Sequence, residues 1–182
     1  YKDIKKIAWI TAILWTLLVV LSVLWNIYSE KEQTIARANA VARLAFSRDI
    51  EFRKWATSHG GVYVPITEKT RPNPYLDVPE KHAVTEKGTK LTLMNPAYMM
   101  RQIYENIGQD SDVRGHITSL MPIRPGNAPD PWEEAALKRF EKGEKEAFDL
   151  QKEKDKEFAR FMRPFVVTKG CLKCHAKQGY KE

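Results

Sequence analysis

Ile7 to Tyr28 reads IAWITAILWTLLVVLSVLWNIY, an apolar run of 22 residues without a charged side chain. As a helix rising about 1.5 Å per residue it spans roughly 33 Å. A bilayer's hydrocarbon core is about 30 Å thick, so the run predicts a transmembrane helix with modest tilt. Trp9, Trp25 and Tyr28 lie near its ends, where amphipathic rings favour the headgroup layer. Lys2, Lys5 and Lys6 precede it, whereas Glu30, Lys31 and Glu32 follow. By the positive-inside rule the N-terminus stays in the cytoplasm and the remainder is exported. A cleaved signal peptide is the competing reading, but its apolar core runs to about 7–15 residues with a small-residue cleavage site close behind. Ala36-Arg37-Ala38 and Ala38-Asn39-Ala40 resemble such sites and lie too far downstream. An uncleaved anchor is expected, with membrane lipid as the partner of residues 7–28.

From Asn26 to about Ser58 the pattern remains helical and turns amphipathic. Ile35, Ala38, Ala42, Ala45 and Phe46 recur at steps of three and four, with Arg37, Arg43, Arg48, Asp49 and Arg53 elsewhere, as an amphipathic helix requires. A membrane helix running on into such a helix makes a stiff rod. It either packs on its own domain or forms a dimer stalk, and small alanines suit both. His59-Gly60-Gly61 ends it, glycine being common past a last helical turn. The expected division is 1–28, cytoplasmic stub and membrane helix; 29–58, long amphipathic helix; and 59–182, one further domain.

Within that domain Val62–Ile66 reads as a short strand, 67–90 as an irregular surface excursion, and Leu91–Met94 as a second strand. Asn95-Pro96 is a helix start, with Asn as N-cap and Pro at the first helical position. Met99, Ile103 and Ile107 follow on one face, beside Met100 and Tyr104, as a core stripe would. His116–Met121 reads as a strand closed by Pro122, and Pro125–Pro129 as a turn-rich connector. Asp130-Pro131-Trp132-Glu133 carries a capping box and predicts a helix to about Lys142, broken at Gly143. The charged run Glu141–Glu157 offers i,i+4 pairs such as Glu141–Lys145 and reads as a solvated face. Phe158–Thr168 reads as a strand leading to Gly170.

The chain carries two cysteines, and both fall in Cys171-Leu172-Lys173-Cys174-His175. Cys-x-x-Cys-His is the c-type haem attachment pattern. Two thiols add across the two haem vinyl groups to give thioethers, and the histidine supplies an axial ligand to iron. Cys171 and Cys174 are therefore the candidate thioether sites, and His175 the candidate proximal ligand and metal-binding residue. A structural zinc site needs a second ligand pair at close spacing, and His59, His82 and His116 lie singly and far off. A thioredoxin-like dithiol belongs at a helix start in a βαβ pattern, which these flanks lack. A chance match is the remaining alternative, and export argues against it. For the far side of the iron Met99 and Met100 offer soft sulfur and His59 an imidazole; His116 is a weaker candidate.

The formal charge of +7 arises from 30 Lys and Arg against 23 Asp and Glu. The two signs are interspersed beyond Lys2–Lys6, so nucleic-acid binding, which needs a basic patch rather than a basic average, is excluded. No paired-carboxylate motif, Ser-His-Asp pattern or phosphate-cradling glycine loop stands out. No catalytic residue is expected in this stretch, and enzyme activity would have to come from an effector domain beyond it.

Five stretches taken together point further: HGGVYVP at 59–65, LMNPAYM at 93–99, RGHITS at 114–119, NAPDPWE at 127–133 and CLKCHAKQGY at 171–180. On them the chain resembles the c-type haem sensor domains carried outside the membrane by bacterial histidine kinases, chemoreceptors and diguanylate cyclases, over roughly residues 30–182. The resemblance implies an α+β, PAS-like antiparallel sheet flanked by helices, preceded by one transmembrane helix that continues into a long N-terminal helix. It also implies haem c on Cys171 and Cys174, His175 as proximal ligand, and a periplasmic haem domain anchored in the inner membrane. Members usually continue into closing strands and often a second membrane helix, so this chain is expected to be part of a longer receptor.

Two functions fit these expectations. One is a sensor, a homodimer in signal transduction, whose iron responds to redox state or to a small gas such as NO, CO or O2. The other is a membrane-anchored monohaem c-type cytochrome that passes electrons to a redox partner. A third reading, a binding module without haem, needs the motif to be coincidental.

Overall fold

The structure, a computed structural model, describes residues 1–107, 113–153, 156–167, 169 and 171–172. The chain is α+β: a long N-terminal helix, two further α-helices and two small antiparallel sheets among the described residues. It divides into two compact units, Tyr1–Val41 and Ala42–Glu182.

Helix α1 runs unbroken over Lys2–Ser58. It is long and apolar enough in its first half to cross a membrane, and none of its most apolar stretch is buried within the chain. Two hydroxyls in its apolar half are satisfied by the helix itself: Thr11 and Thr16 donate to the carbonyls of Ile7 and Ala12, at 2.9 and 2.8 Å. Such back-bonding removes the cost of an unpaired hydroxyl in an apolar stretch.

The end of α1 is set by Gly60 and Gly61, at φ +76° and +112°. Gly61 N–H donates to Ala56 O and Gly60 N–H to Thr57 O, the crossed pair of bonds of a Schellman turn. A side chain at Gly61 would also press on Leu93 and the carbonyl of Met94. The turn therefore brings α1 directly against the strand that follows. Strand β1, Val62–Pro65, pairs antiparallel with β3, Lys90–Met94, in the register Val62↔Met94.

Residues 67–90 depart from an irregular surface excursion. Strand β2, His82–Val84, pairs with β3 on its other edge, so the sheet order is β1-β3-β2. Three residues without marked alternation carry no local strand signal, and β3 is what selects them. Further back, Asn73 and Leu76 are buried. Asn73 Nδ2 donates to Asn95 Oδ1 at 3.2 Å, and Tyr98 Oη donates to the carbonyl of Arg71 at 2.7 Å.

Helix α2, Pro96–Ile107, starts where Asn95-Pro96 predicts. Its buried side chains are Tyr98 and Met100, while Met99 and Ile103 are half-buried. The single stripe expected from Met99 and Ile103 is thus two covered sides, because the 67–76 segment lies over Tyr98.

His116–Met121 is not a strand. Side chains hold this segment instead: Thr118 Oγ1 donates to Asn127 O at 3.0 Å, and His116 bonds Glu133. Its apolar alternation meets no strand edge to pair with among the described residues. The connector contains a single 3-10 turn, Pro125–Asn127.

Helix α3, Pro131–Phe140, begins with the expected capping box, in which Asp130 Oδ1 accepts from Glu133 N and Glu133 Oε2 from Asp130 N, both at 2.9 Å. Such a cap contributes about 1 kcal/mol. It closes through a second crossed pair of bonds around Gly143.

The charged run beyond is a hairpin and not a face with i,i+4 pairs. Strand β4, Ala147–Glu153, pairs with β5, Lys156–Met162, from Ala147↔Met162 to Glu153↔Lys156. The strand expected over Phe158–Thr168 therefore starts two residues earlier and ends at Met162, before Arg163-Pro164; Thr168 lies outside the described residues.

Candidate functional site

The second half of α1 builds one wall of the site. From Ala42 onward its inward residues include Ala42, Ala45, Phe46, Asp49, Arg53 and Ala56. The first three match the expected apolar stripe. Asp49 and Arg53, expected on the polar side, continue it inward. The same steps of three and four that join Ala42 to Phe46 reach 49, 53 and 56, so the signal was present and the residue types masked it.

Opposite this wall stand Phe161 at the end of β5 and Phe165 just beyond. Phe46 stacks on Phe165, with centroids 5.6 Å apart and planes 14° apart, and meets Phe161 edge-on at 5.9 Å. Three guanidinium groups cover these rings. Arg43 lies 5.0 Å from the Phe161 centroid, Arg53 4.7 Å from Phe165 and Arg163 6.0 Å from Phe46. Arginine favours such placement because its planar cation meets the negative face of an aromatic ring. Glu146 closes the outer side through a two-pronged ion pair with Arg43, and it faces Arg163 at 3.6 Å.

Arg53 differs from its neighbours. Its Nη1 is buried and has no hydrogen-bond partner among the described residues. Burial draws its pKa down, while Cys171 and Asp49 act in the opposite sense. Asp49 is itself engaged, accepting a hydrogen bond from Tyr104 Oη at 2.5 Å. A buried unmatched donor costs roughly 1–3 kcal/mol, so a cation so placed calls for an anionic partner.

Cys171 is half-buried and lies within electrostatic reach of Arg53. Cys174 and His175 lie outside the described residues. The distal candidates fall at separate places. Met99 and Met100 belong to α2, half-buried and buried respectively. His59 is exposed at the end of α1, with its ring 4.6 Å from that of Trp55 and its Nδ1 2.8 Å from Trp55 O. That bond commits one imidazole nitrogen to the helix end. His116 Nδ1 is committed as well, 2.8 Å from Glu133 Oε1.

The donor chemistry fits a covalently attached haem. Cys171 of the attachment pattern lies within electrostatic reach of Arg53, whose guanidinium has a buried spare donor and lies over the ring of Phe165. Such a porphyrin presents a flat apolar body and two propionate carboxylates, which match those two features.

A separate polar cluster joins α3 to the hairpin. Arg160 Nη2 meets Asp130 Oδ2 at 2.7 Å and Glu133 Oε1 at 3.3 Å, and the guanidinium lies 4.4 Å from the Trp132 centroid. Its hydrogen bond to Glu133 raises the His116 pKa above the ordinary 6.5, against burial. Burial pushes the Glu133 carboxyl up, but the bonds from His116 and Asp130 N–H outweigh it and hold the pKa below 4.5. The His116 contribution to stability is therefore full below pH 6.5 and fades as pH rises through its raised value. The Glu133 contribution is present above pH 4.5 and fades as pH falls through its lowered value. His116→Gln is expected to cost about 0.5–1 kcal/mol near pH 6, solvent screening allowed for, and much less at pH 9. Thermal unfolding of both proteins across that range checks this. A difference independent of pH would remove the ion pair from the account.

By fold and site this is an α+β chain with, among the described residues, one helix long and apolar enough to cross a membrane. Residues 29–181 match the Tll0287-like family, and the chain belongs to that family. Comparison with curated proteins and with solved structures finds no match.

Proposed function

We propose that this chain is the exported haem-bearing sensor module of a membrane-anchored signal-transduction protein. The observation that carries the reading is Cys-x-x-Cys-His at 171–175, in a chain whose N-terminal helix is apolar enough to enter a bilayer. Covalent haem attachment is a chemistry of exported proteins, and the two features agree. On this reading Cys171 and Cys174 form the thioethers and His175 is the proximal ligand. Residues 7–28 cross the inner membrane with the N-terminus cytoplasmic, and the α+β portion is a periplasmic PAS-like domain. Met99, Met100 and His59 are the side chains from which a distal ligand would come.

Bound haem supplies an iron that changes charge with redox state or changes ligation with NO, CO or O2. This chain's residues hold and orient it. Helix α1 connects the ring-lined wall to the membrane segment without a break, which makes it the element whose two-state bias would carry a signal. Leu44, Phe52 and Trp55 are exposed on its outward side, and this supports a homodimer formed along α1.

The absorption spectrum of the dithionite-reduced protein, matured with the c-type assembly machinery, tests the reading with and without CO. A Soret shift on CO addition is the expected result and fits gas sensing. A c-type spectrum indifferent to CO would favour redox sensing or the electron-transfer cytochrome. Colourless protein would end the proposal.

A further inference from the structure

We infer that Arg53 is a haem-propionate anchor: its guanidinium, carried on the inner face of α1, binds a carboxylate of the cofactor attached at Cys171. The inference rests on the proposed haem reading and adds a residue that the attachment motif does not contain.

The geometry narrows the choices. Arg53 is held over Phe165 at 4.7 Å, and Phe165 is stacked on Phe46, so the guanidinium cannot swing out without leaving that stack. Its Nη1 is buried and lacks a hydrogen-bond partner among the described residues. The two acidic side chains that act on it are the Cys171 thiol and Asp49. The carboxylate of Asp49 already accepts from Tyr104 Oη. When Cys171 adds across a vinyl group, its S–H hydrogen passes to the vinyl carbons and the sulfur becomes a neutral thioether. A thioether cannot serve as a counter-ion. Attachment thus leaves Asp49, already engaged by Tyr104, as the acidic side chain acting on Arg53, and the cofactor brings two carboxylates on the porphyrin edge opposite its vinyl groups. A planar guanidinium suits a carboxylate through paired N–H donors, which an ammonium cannot supply.

The consequence is electrostatic as well as positional. An arginine bound to a propionate offsets its negative charge near the iron and so favours the ferrous state. Its loss shifts the equilibrium toward ferric.

Redox-difference infrared spectroscopy of the full chain tests this, with propionate carboxyls labelled by 13C-aminolevulinate and compared in wild type, Arg53→Gln and Arg53→Lys. The labelled carboxylate stretch should move in Arg53→Gln. The midpoint potential should fall by about tenfold in the ferric-to-ferrous ratio, ~59 mV for one electron. Arg53→Lys should recover most of the potential but not the band position, because charge survives and the fork does not. Mass spectrometry of each variant reports covalent haem independently. If haem is retained and the labelled band is the same in wild type and Arg53→Gln, the anchor is wrong while the haem reading stands. If wild type itself carries no covalent haem, the underlying reading fails first.

Discussion

Cys171→Ala together with Cys174→Ala is expected to yield a chain with no covalently bound haem, an all-or-none loss. The alkaline pyridine haemochrome of wild type should be of the c type, and denatured wild-type protein should retain the haem mass. The reason is bond count. On the proposed haem reading each thioether tethers one vinyl carbon, and with both sulfurs gone only coordination and packing would remain. Those forces are reversible and release haem on denaturation. Either single variant should keep one thioether and an altered haemochrome band. Covalent haem in the double variant would falsify the assignment of these residues.

The second large effect concerns Gly115. A Cβ built there would lie 2.2–2.7 Å from ring carbons of Tyr104, so Gly115→Ala must displace a side chain with a structural task. Tyr104 Oη donates to Asp49 Oδ2, joining α2 to the inner face of α1. Burial, followed by Asp49, holds this phenol above its ordinary pKa. Overpacking of this kind costs about 1–3 kcal/mol, and the displaced hydroxyl adds about 1 kcal/mol for the lost bond. Chemical denaturation should place Gly115→Ala about 2–4 kcal/mol below wild type, with Tyr104→Phe losing only about 1 kcal/mol. In a Tyr104→Ala background the glycine substitution should cost almost nothing, since the clash has gone. An undiminished cost there would mean that Gly115 matters for another reason.

The disturbance should also reach the site. Asp49 is one helical turn from Arg53, and it is the carboxylate that Tyr104 keeps occupied. Freed from Tyr104, Asp49 would have its carboxylate open to Arg53. Substitution at Gly115 should therefore also shift the properties of the α1 wall.

The helices were legible from residue order because their signals are local. Gly60-Gly61, Asn95-Pro96 and Asp130-Pro131-Trp132-Glu133 act through backbone groups a few positions away, and each stop or start falls where its chemistry puts it. The apolar run at Ile7–Tyr28 is equally self-contained, since a helix closes its own hydrogen bonds.

What residue order left open depends on partners distant in the chain. His82–Val84 becomes a strand because β3 offers an edge, and Ile117 to Leu120 does not because none is offered among the described residues. The charged run after Gly143 alternates well enough for a hairpin once Phe148 faces Phe161, a pairing that neither half can signal alone. Arg53 and Asp49 look like solvent-facing charges until Phe165, Tyr104 and Cys171 are brought against the same side of α1. Composition and local caps settled which segments are helical; only tertiary contact decided which charges are buried, because what covers a side chain on α1 comes from segments far along the chain.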